Sequence, residues 1–440
     1  MLLNKMKKIF YILALALVLL GCSTTEDRSR ILKVYNWADY IDESLIEEFE
    51  QWYKEETGED VEIIYQTFDI NETMLSKIEL GHEDYDVVCP SDYIIERMLK
   101  NDLLLPLERD FGSTPDYLSN IAPFITEKFD EIDGKGKNAN DYSAAYMWGT
   151  VGLIYNPKYV DNNQVQSWSV LQNPAYKGKV LMKDAFRDVY TALLIGLNRE
   201  NIEAGTKNLK EITFDTSAES ISTVETFLNS FRESVCGWEA DFGKEQMTKE
   251  LAWMNLSWSG DAQWAIDEAA EVGMELEYAV PSEGSAIWFD GWVIPKYAKN
   301  IKAARYFINF MCRPENALRN MDMTGYVSAV GGTEVLENII DEEYDPIDAS
   351  YFFGEEADSV CINPIMFPDR ATIERCGMMH DTDTEALLKM WSRVKGDNAS
   401  AWTYILICLV LVGLISAVIV KYTRKRYRRK RYAKKRRGKR

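Results

Sequence analysis

The chain has 440 residues, enough for two or three globular domains with buried cores. A hydrophobic content of 46% excludes a disordered polypeptide, and two histidines in the whole chain argue against a histidine-built metal centre. Residues 421–440 hold 14 of the 50 basic residues, residues 1–22 hold three more, and neither segment has an acid, so the net charge of −20 becomes −37 over residues 23–400. A body this anionic is not expected to bind nucleic acid.

The N-terminus predicts a lipoprotein signal peptide over residues 1–22. Three lysines come first, an apolar run follows over residues 9–20, and Leu19-Leu-Gly-Cys22 resembles a bacterial lipobox. In a lipobox the cysteine is lipidated and becomes the new N-terminus, so Cys22 is the predicted lipidation site and residues 23–30 are a tether. The alternative is an incidental cysteine after an ordinary secretory signal.

A second membrane signal lies near the C-terminus. Residues 401–420 form a stretch without charge, which predicts a transmembrane helix. The basic tail over residues 421–440 is expected to stay in the cytoplasm, where anionic lipid is its simplest partner. Residues 23–400 are therefore expected on the extracytoplasmic face of the cell membrane.

From residue 31 the chain alternates between strand-like and helical patterns. Strands are predicted at residues 31–37, 61–67 and 86–90, and helices at residues 72–80, 92–100 and from Ser44, which has capping-box spacing to Glu47. This βαβαβα order predicts an α/β fold with a parallel sheet. Ligands of such sheets bind at the carboxyl ends of the strands.

A second α/β region begins near residue 144. Strands are predicted there at residues 150–155, 180–183, 252–258, 278–280 and 292–295, and helices at residues 189–197, 220–231, 261–270 and 301–312. The cysteines of both regions lack metal-site spacing. A disulfide between Cys361 and Cys376 and free buried thiols are both compatible with the sequence.

No catalytic motif of any strength is present in the sequence. An aromatic residue beside an acid recurs instead near predicted strand ends, in Trp37-Ala-Asp-Tyr40, Asp92-Tyr93, Trp258-Ser-Gly-Asp261 and Trp288-Phe-Asp290. One such pair usually serves the core or caps a helix. Four together predict a binding site for an organic cation, because aromatic faces hold its methylenes and carboxylates replace the water around each ammonium. A glycosidase-like carboxylate pair is the alternative.

Ordered blocks between residues 31 and 395 resemble the spermidine/putrescine-binding receptors of polyamine ABC importers. They include Val34-Tyr-Asn-Trp-Ala-Asp-Tyr40, Tyr85-Asp-Val-Val-Cys-Pro-Ser-Asp-Tyr93 and Trp258-Ser-Gly260. The resemblance implies a two-lobed, hinged periplasmic-binding-protein fold of type II and a receptor that is not an enzyme, has no cofactor and delivers a polyamine to permease subunits. It also implies a first lobe from residues 31–143 and 288–330 and a second lobe from residues 144–287 and 331–400.

The resemblance further implies which side chains contact the ligand. Those expected from the first lobe and the crossover are Trp37, Tyr40, Ser91, Tyr93, Trp288, Asp290 and Tyr326, and those from the second lobe are Asp184, Asp188, Trp258 and Asp261. Asp290 and Asp188 are expected to hold one amine each, between walls formed by Trp288 and Trp258.

Several alternatives stay open at this stage. Asp261 resembles the putrescine-preferring receptors and Trp288 the spermidine-preferring ones, so the ligand's length is undecided. A carbohydrate-active enzyme, a ligand sensor and a ferric-ion receptor are rival functions. The ferric-ion receptor is disfavoured because its usual tyrosine cluster is not apparent and because His82 and His380 are predicted to be surface residues.

Overall fold

The computed structural model describes residues 27–240 and 242–396. The predicted signal peptide over residues 1–22 with its Cys22, the predicted membrane helix over residues 401–420 and the basic tail over residues 421–440 lie outside these ranges. Among the helices of the described residues, none combines the length and the apolar character needed to cross a bilayer.

The strands are numbered in chain order. They are β1 (Ile31–Trp37), β2 (Glu62–Phe68), β3 (Val87–Val88), β4 (Ser143–Tyr155), β5 (Val180–Lys183), β6 (Val235–Glu239), β7 (Met254–Trp258), β8 (Glu277–Ala279), β9 (Ser285–Val293), β10 (Val327–Ser328), β11 (Pro346–Ile347), β12 (Val360–Cys361) and β13 (Cys376–Met378).

The helices are numbered in the same way. They are α1 (Ser44–Thr57), α2 (Asn71–Glu79), α3 (Asp92–Lys100), α4 (Pro123–Asp130), α5 (Phe186–Leu197), α6 (Arg199–Glu203), α7 (Leu209–Thr213), α8 (Ala218–Ser230), α9 (Gly243–Thr248), α10 (Ser259–Glu271), α11 (Ile301–Met311), α12 (Pro314–Thr324), α13 (Thr333–Ile339), α14 (Ser350–Phe353), α15 (Arg370–Glu374) and α16 (Thr384–Lys395).

One mixed sheet joins most of the strands, in the order β2-β1-β3-β9-β4-β7-β5-β6. Strand β1 is parallel to β2 and β3, and strand β5 is parallel to β6 and β7. Between these two parallel groups lie β4 and β9, which pair antiparallel to each other and to their outer neighbours β7 and β3. The prediction of parallel α/β regions is therefore confirmed, and two long strands connect them.

The two connecting strands are buried along their whole length. A strand buried on both faces has a continuous apolar run instead of the polar and apolar alternation that marks a half-exposed strand. The sequence therefore predicted only residues 150–155 and 292–295 as strands. The predicted strand end at Trp288 and Asp290 is wrong, because both residues lie inside β9.

Local details of the prediction also change. Helix α1 begins at Ser44, whose amide donates a hydrogen bond to the Asp42 Oδ1 at 3.0 Å, and its N-cap residue Glu43 makes no side-chain cap hydrogen bond. The predicted capping box with Glu47 is therefore not formed. His82 is exposed as predicted, whereas the prediction for His380 is wrong: its ring is buried against Phe214 and its Nδ1 lies 3.1 Å from a carboxylate oxygen of Glu96.

The cysteines of the described residues are free thiols, so Cys361 is not bonded to Cys376. The alternative of free buried thiols holds for Cys89, Cys312 and Cys376, whereas Cys361 is half-buried and Cys236 is exposed.

Candidate functional site

Asp290 lies in the middle of β9 and is only 5% exposed. Its Oδ2 accepts a hydrogen bond from the Tyr40 hydroxyl at 2.9 Å, and Ser91 forms an isolated antiparallel bridge with it. Its Oδ1 is buried without a hydrogen-bond partner among the described residues. Burial raises the pKa of Asp290 to about 7, and the nearby charge of Asp188 adds to this, while the nearby hydroxyls of Ser91 and Tyr40 oppose it.

Aromatic rings enclose this carboxylate. The ring of Tyr326 packs edge to face against Tyr40 at 5.1 Å and against Trp288 at 5.5 Å between centroids. Tyr146 packs in the same way against the other side of Tyr40, at 5.5 Å. Edge-to-face packing fixes the orientation of each ring. The rings therefore form a rigid aromatic wall around Asp290.

Two glycines leave the space that the rings of Tyr326 and Trp288 occupy. A Cβ at Gly260, in the first turn of α10, would lie 2.2 Å from the ring of Tyr326. A Cβ at Gly149, which pairs with Trp288 across β4 and β9, would lie 2.7 Å from the Trp288 ring. Any larger residue at either position would displace an aromatic side chain of the site.

A second acidic position lies at the start of α5. Asp188 is half-buried, and its Oδ1 accepts a hydrogen bond from the indole N–H of Trp258 at 2.8 Å. Burial raises the pKa of Asp188 to about 6, while the hydrogen bond from Trp258 opposes this rise. Asp184 was predicted to share this role, but its side chain is exposed.

Asp261 has a different environment from Asp290 and Asp188. Its Oδ1 accepts a hydrogen bond from the Tyr326 hydroxyl at 2.7 Å, and its Oδ2 is paired with the ammonium of Lys183. Although burial opposes the shift, the charges of Lys183 and Lys244 hold the pKa of Asp261 below its usual value. Asp261 was predicted to contact the ligand, and in the structure both of its carboxylate oxygens have partners from the protein itself.

Tyr93 contacts helices that belong to both parallel groups of strands. Its hydroxyl accepts a hydrogen bond from the Asn71 amide at 3.1 Å and donates to Glu72 at 3.4 Å. The guanidinium of Arg187 lies 4.5 Å from the centre of its ring. Because Arg187 belongs to α5 and Tyr93 to α3, this contact joins the two parallel groups of strands through their helices. Trp37, at the end of β1, is half-buried and packs on Phe68.

Most of the predicted side chains are thus joined by direct contacts. Tyr40, Ser91, Trp288, Asp290 and Tyr326 form one cluster. Trp258 donates a hydrogen bond to Asp188, and the charge of Asp188 acts on Asp290 of the cluster. Asp261 is connected to the cluster by the hydrogen bond that it accepts from Tyr326.

Sequence reasoning missed other charged groups of the site. Glu72 lies close enough to Asp188 for its charge to raise the pKa of that carboxyl. The ammonium of Lys183 contacts Asp261 and Glu239 and lies over the ring of Trp258. The one signal for Lys183 was a lysine at the end of an otherwise apolar strand. Glu72 and Glu239 carried no signal that distinguished them from the many surface acids.

A family model described as bacterial extracellular solute-binding protein matches residues 44–335 of the chain. The chain belongs to this solute-binding protein family. It is 30% identical to the spermidine/putrescine-binding periplasmic protein of Escherichia coli K12 over 319 residues, which cover 72% of this chain and 82% of the relative. It is 27% identical to a putrescine-binding periplasmic protein of the same organism, over 71% of this chain and 82% of the relative.

Solved structures agree with this family. A putative spermidine/putrescine ABC transporter protein from Listeria monocytogenes superimposes with a TM-score of 0.64 at 29% identity, covering 83% of this chain and 99% of that one. A substrate-binding protein of a spermidine/putrescine ABC transporter from Streptococcus pneumoniae gives a TM-score of 0.61, also at 29% identity, over 83% of this chain and 98% of its own.

The solute-binding protein therefore has the two-lobed α/β fold of periplasmic binding proteins. Its family consists of solute-binding proteins and not of enzymes, so the rival function of a carbohydrate-active enzyme has no support.

Proposed function

We propose that this protein is a polyamine receptor that delivers its ligand to an ABC import permease. The observation that carries the proposal is the buried Oδ1 of Asp290, which has no partner among the described residues, on a carboxylate bound by Tyr40 of the aromatic wall. A buried carboxylate needs a cation or donors to offset its lost hydration, and an alkylammonium supplies both. The rings around it suit the alkyl chain that follows the ammonium.

Asp188 supplies a second anionic position in the other half of the site. Because it is held by α5 while Asp290 lies on β9, a ligand with two ammonium groups gains both carboxylates only when it contacts both elements at once. This favours closure of the lobes around the ligand, since only the closed state satisfies both ends. Two relatives are named a spermidine/putrescine-binding and a putrescine-binding protein, which indicates the same ligand class.

The lobe boundaries belong to the same proposal. The first lobe is assigned residues 31–143 and 288–330, and the second lobe residues 144–287 and 331–400. The support is the sheet order, in which β1 to β3 and β5 to β7 lie on opposite sides of the connecting strands β4 and β9.

Isothermal titration of the full chain in detergent tests the receptor function. Titrants are putrescine, spermidine and spermine, with a neutral sugar of similar length as the negative control. We expect one-to-one binding of at least one polyamine at micromolar concentration or tighter, and no heat from the sugar. Absence of binding to all three amines would refute the polyamine receptor.

We further propose that the receptor is anchored to the cell membrane on its extracytoplasmic face. The support is the lipobox-like sequence ending at Cys22, the uncharged residues 401–420 and the basic tail 421–440. Tethering would raise the receptor's effective concentration at its permease. Labelling with a fatty acid in cells should mark the wild type and not a Cys22→Ser variant. A Cys22→Ser variant without residues 401–440 should be released from the membrane, and its retention would refute the anchor.

A further inference from the structure

Lys183 is a buried lysine at the end of β5, with only 1% of its surface exposed. Its ammonium contacts the carboxylate of Asp261, lies 3.3 Å from that of Glu239 and stands 4.2 Å from the centre of a Trp258 ring. An unpaired charge at this depth is strongly destabilising, so these partners are needed to keep the lysine charged. Two carboxylates and an aromatic face thus surround one ammonium group of the protein.

The same combination of groups is what an alkylammonium ligand requires. A lysine side chain is itself a four-carbon alkyl chain that ends in an ammonium, so it resembles one end of a polyamine. The set formed by Asp261, Glu239 and Trp258 is called the lysine box below. It is continuous with the site, because the Tyr326 hydroxyl that binds Asp261 belongs to the ring that packs on Tyr40 and Trp288.

The carboxylates of Asp290 and Asp188 differ from those of the lysine box in their ion pairs. Among the described residues, Asp290 and Asp188 have no lysine or arginine within ion-pair distance, whereas both acids of the lysine box do. Asp290 therefore forms one anionic position, Asp188 with the neighbouring Glu72 forms a second, and both positions are left for cations from outside. The charge of each affects the other, since Asp188 raises the pKa of Asp290.

We propose that Lys183 is a specificity-determining residue that fills the lysine box with the protein's own ammonium and limits the ligand to two ammonium groups. This inference rests on the proposed polyamine receptor. A diamine places one ammonium at Asp290 and the other at Asp188. The third ammonium of a triamine meets a box that already holds a cation, so the triamine loses hydration without gaining a carboxylate.

The wild-type protein provides the first test. Titration of the full chain should give a dissociation constant for putrescine at least tenfold lower than that for spermidine. Equal affinities, or a preference for spermidine, would overturn the proposal. Absence of binding to either amine would instead refute the polyamine receptor itself, so the two failures are distinguishable.

Replacement of the lysine provides the second test. Lys183→Met keeps most of the side-chain volume and removes the ammonium that fills the lysine box. The box is then open to a third ammonium, although Lys244 stays 3.7 Å from the Asp261 carboxylate. The ratio of the spermidine to the putrescine dissociation constant should then fall at least tenfold. This variant leaves the buried carboxylates of Asp261 and Glu239 without the charge of Lys183, so it could lose stability. The double variant Lys183→Met with Glu239→Gln is therefore made in parallel, because it removes one positive and one negative charge together. A folded variant with an unchanged ratio would overturn the proposal.

Lys179→Met is the matched control. Lys179 also lies over a tryptophan, with its ammonium 5.0 Å from a Trp253 ring, but that ring stacks on Tyr159 and is not one of the site's aromatic residues. The same loss of a lysine–tryptophan contact should leave the ratio of the two dissociation constants within twofold of the wild type. A tenfold fall in this control as well would show that the effect is not specific to Lys183.

Discussion

At the scale of single residues, the site contains carboxyl groups whose pKa values are shifted in opposite directions. Burial raises the pKa of Asp290 and Asp188, whereas the lysines beside Asp261 hold its pKa below the usual value. A group with a raised pKa gains most from a cation, because the cation offsets the cost of burying the charge. Asp92 beside Asp290 also has a raised pKa, but the backbone amides of Tyr93 and Phe289 already donate to its carboxylate, so Asp290 and Asp188 are the acids expected to respond to a ligand.

Asp290→Asn tests the first of these acids. The amide keeps the shape of the side chain but removes the charge, so binding of putrescine should weaken by roughly 1.5 to 3 kcal/mol, the scale of a hydrogen bond to a charged group. Titration calorimetry at pH 8 measures the change. Asp322→Asn, at an exposed aspartate of α12, is the control and should leave the affinity unchanged. Equal affinities for the Asp290 variant and the wild type would contradict the assignment.

Affinity should also depend on pH. Asp290, with a pKa of about 7, is largely protonated at pH 5.5, and an ammonium ligand must displace that proton. The affinity for putrescine is therefore expected to rise roughly thirtyfold between pH 5.5 and pH 8, with release of protons on binding. Titrations in buffers of different ionisation enthalpy count those protons. The Asp290→Asn variant should show a flatter profile, and an affinity that falls with rising pH would rule out this linkage.

At the scale of elements, the aromatic wall depends on the close approach of α10 to the ring of Tyr326. Gly260→Ala places a methyl group 2.2 Å from that ring, so the ring must move away from Trp288 and from Asp261. We expect a loss of roughly 1 to 3 kcal/mol in stability, measured by urea unfolding, and at least tenfold weaker polyamine binding. Gly237→Ala is the control, because its Cβ meets only the flexible end of Leu181 at 3.1 Å. Wild-type affinity for Gly260→Ala would show that the wall adapts.

Elements with clear periodicity and flanking signals were predictable from the sequence. Strands β1 and β5 and helix α3 have the predicted bounds, because an apolar run or a helical stripe ends there at polar residues. Strands β4 and β9 were underestimated, since burial on both faces removes the alternation. The position of Asp290 in the middle of β9 could not be read from its neighbours for the same reason.

The site's composition was predictable only in part. Its aromatic residues and the acids beside them stand out by type and spacing, and the family resemblance supplied the rest of the list. The charged residues that shift the pKa values of these acids did not stand out in the sequence. The pairing of Lys183 with Asp261 joins residues far apart in the sequence, and the burial of His380 against Glu96 depends on how α3 packs against the chain after β13.

At the scale of the whole molecule, residues 380–384 connect helices from both parallel groups. Arg97 of α3 binds the carboxylate of Asp381 at 2.8 Å, and Arg187 of α5 binds the His380 carbonyl at 3.1 Å and the Thr382 hydroxyl at 3.0 Å. One short segment thus holds α3 and α5 together beside the site. Any movement of the two groups relative to each other must either carry this segment along or break one set of its bonds.

The stability of the ligand-free protein should fall as the pH rises. The folded-state pKa values of Asp290 and Asp188, about 7 and about 6, lie above the ordinary aspartate value. Their contribution is therefore fully present below about pH 4 and is lost as the pH rises through 6 and 7. Between pH 5 and pH 8 the expected loss is roughly 4 kcal/mol for the two acids together.

Thermal unfolding at a series of pH values measures this loss. Putrescine at 100 times its dissociation constant should restore about 2.7 kcal/mol at pH 8 by mass action. The Asp290→Asn variant is the control, since it should lose less stability over the same range. A wild-type melting temperature that rises from pH 5 to pH 8 with the same slope as the variant would contradict the assignment of these two acids.

The free thiols have a consequence for how the protein can be made. Cys89, Cys312 and Cys376 are buried and unpaired, so nothing in the described residues requires an oxidant during biosynthesis. The receptor body is expected to reach its native state in the reducing cytosol of an expression host, and its melting temperature should be the same with and without dithiothreitol. Cys236 is exposed on the edge strand β6, where a maleimide dye would provide a spectroscopic label without an engineered cysteine.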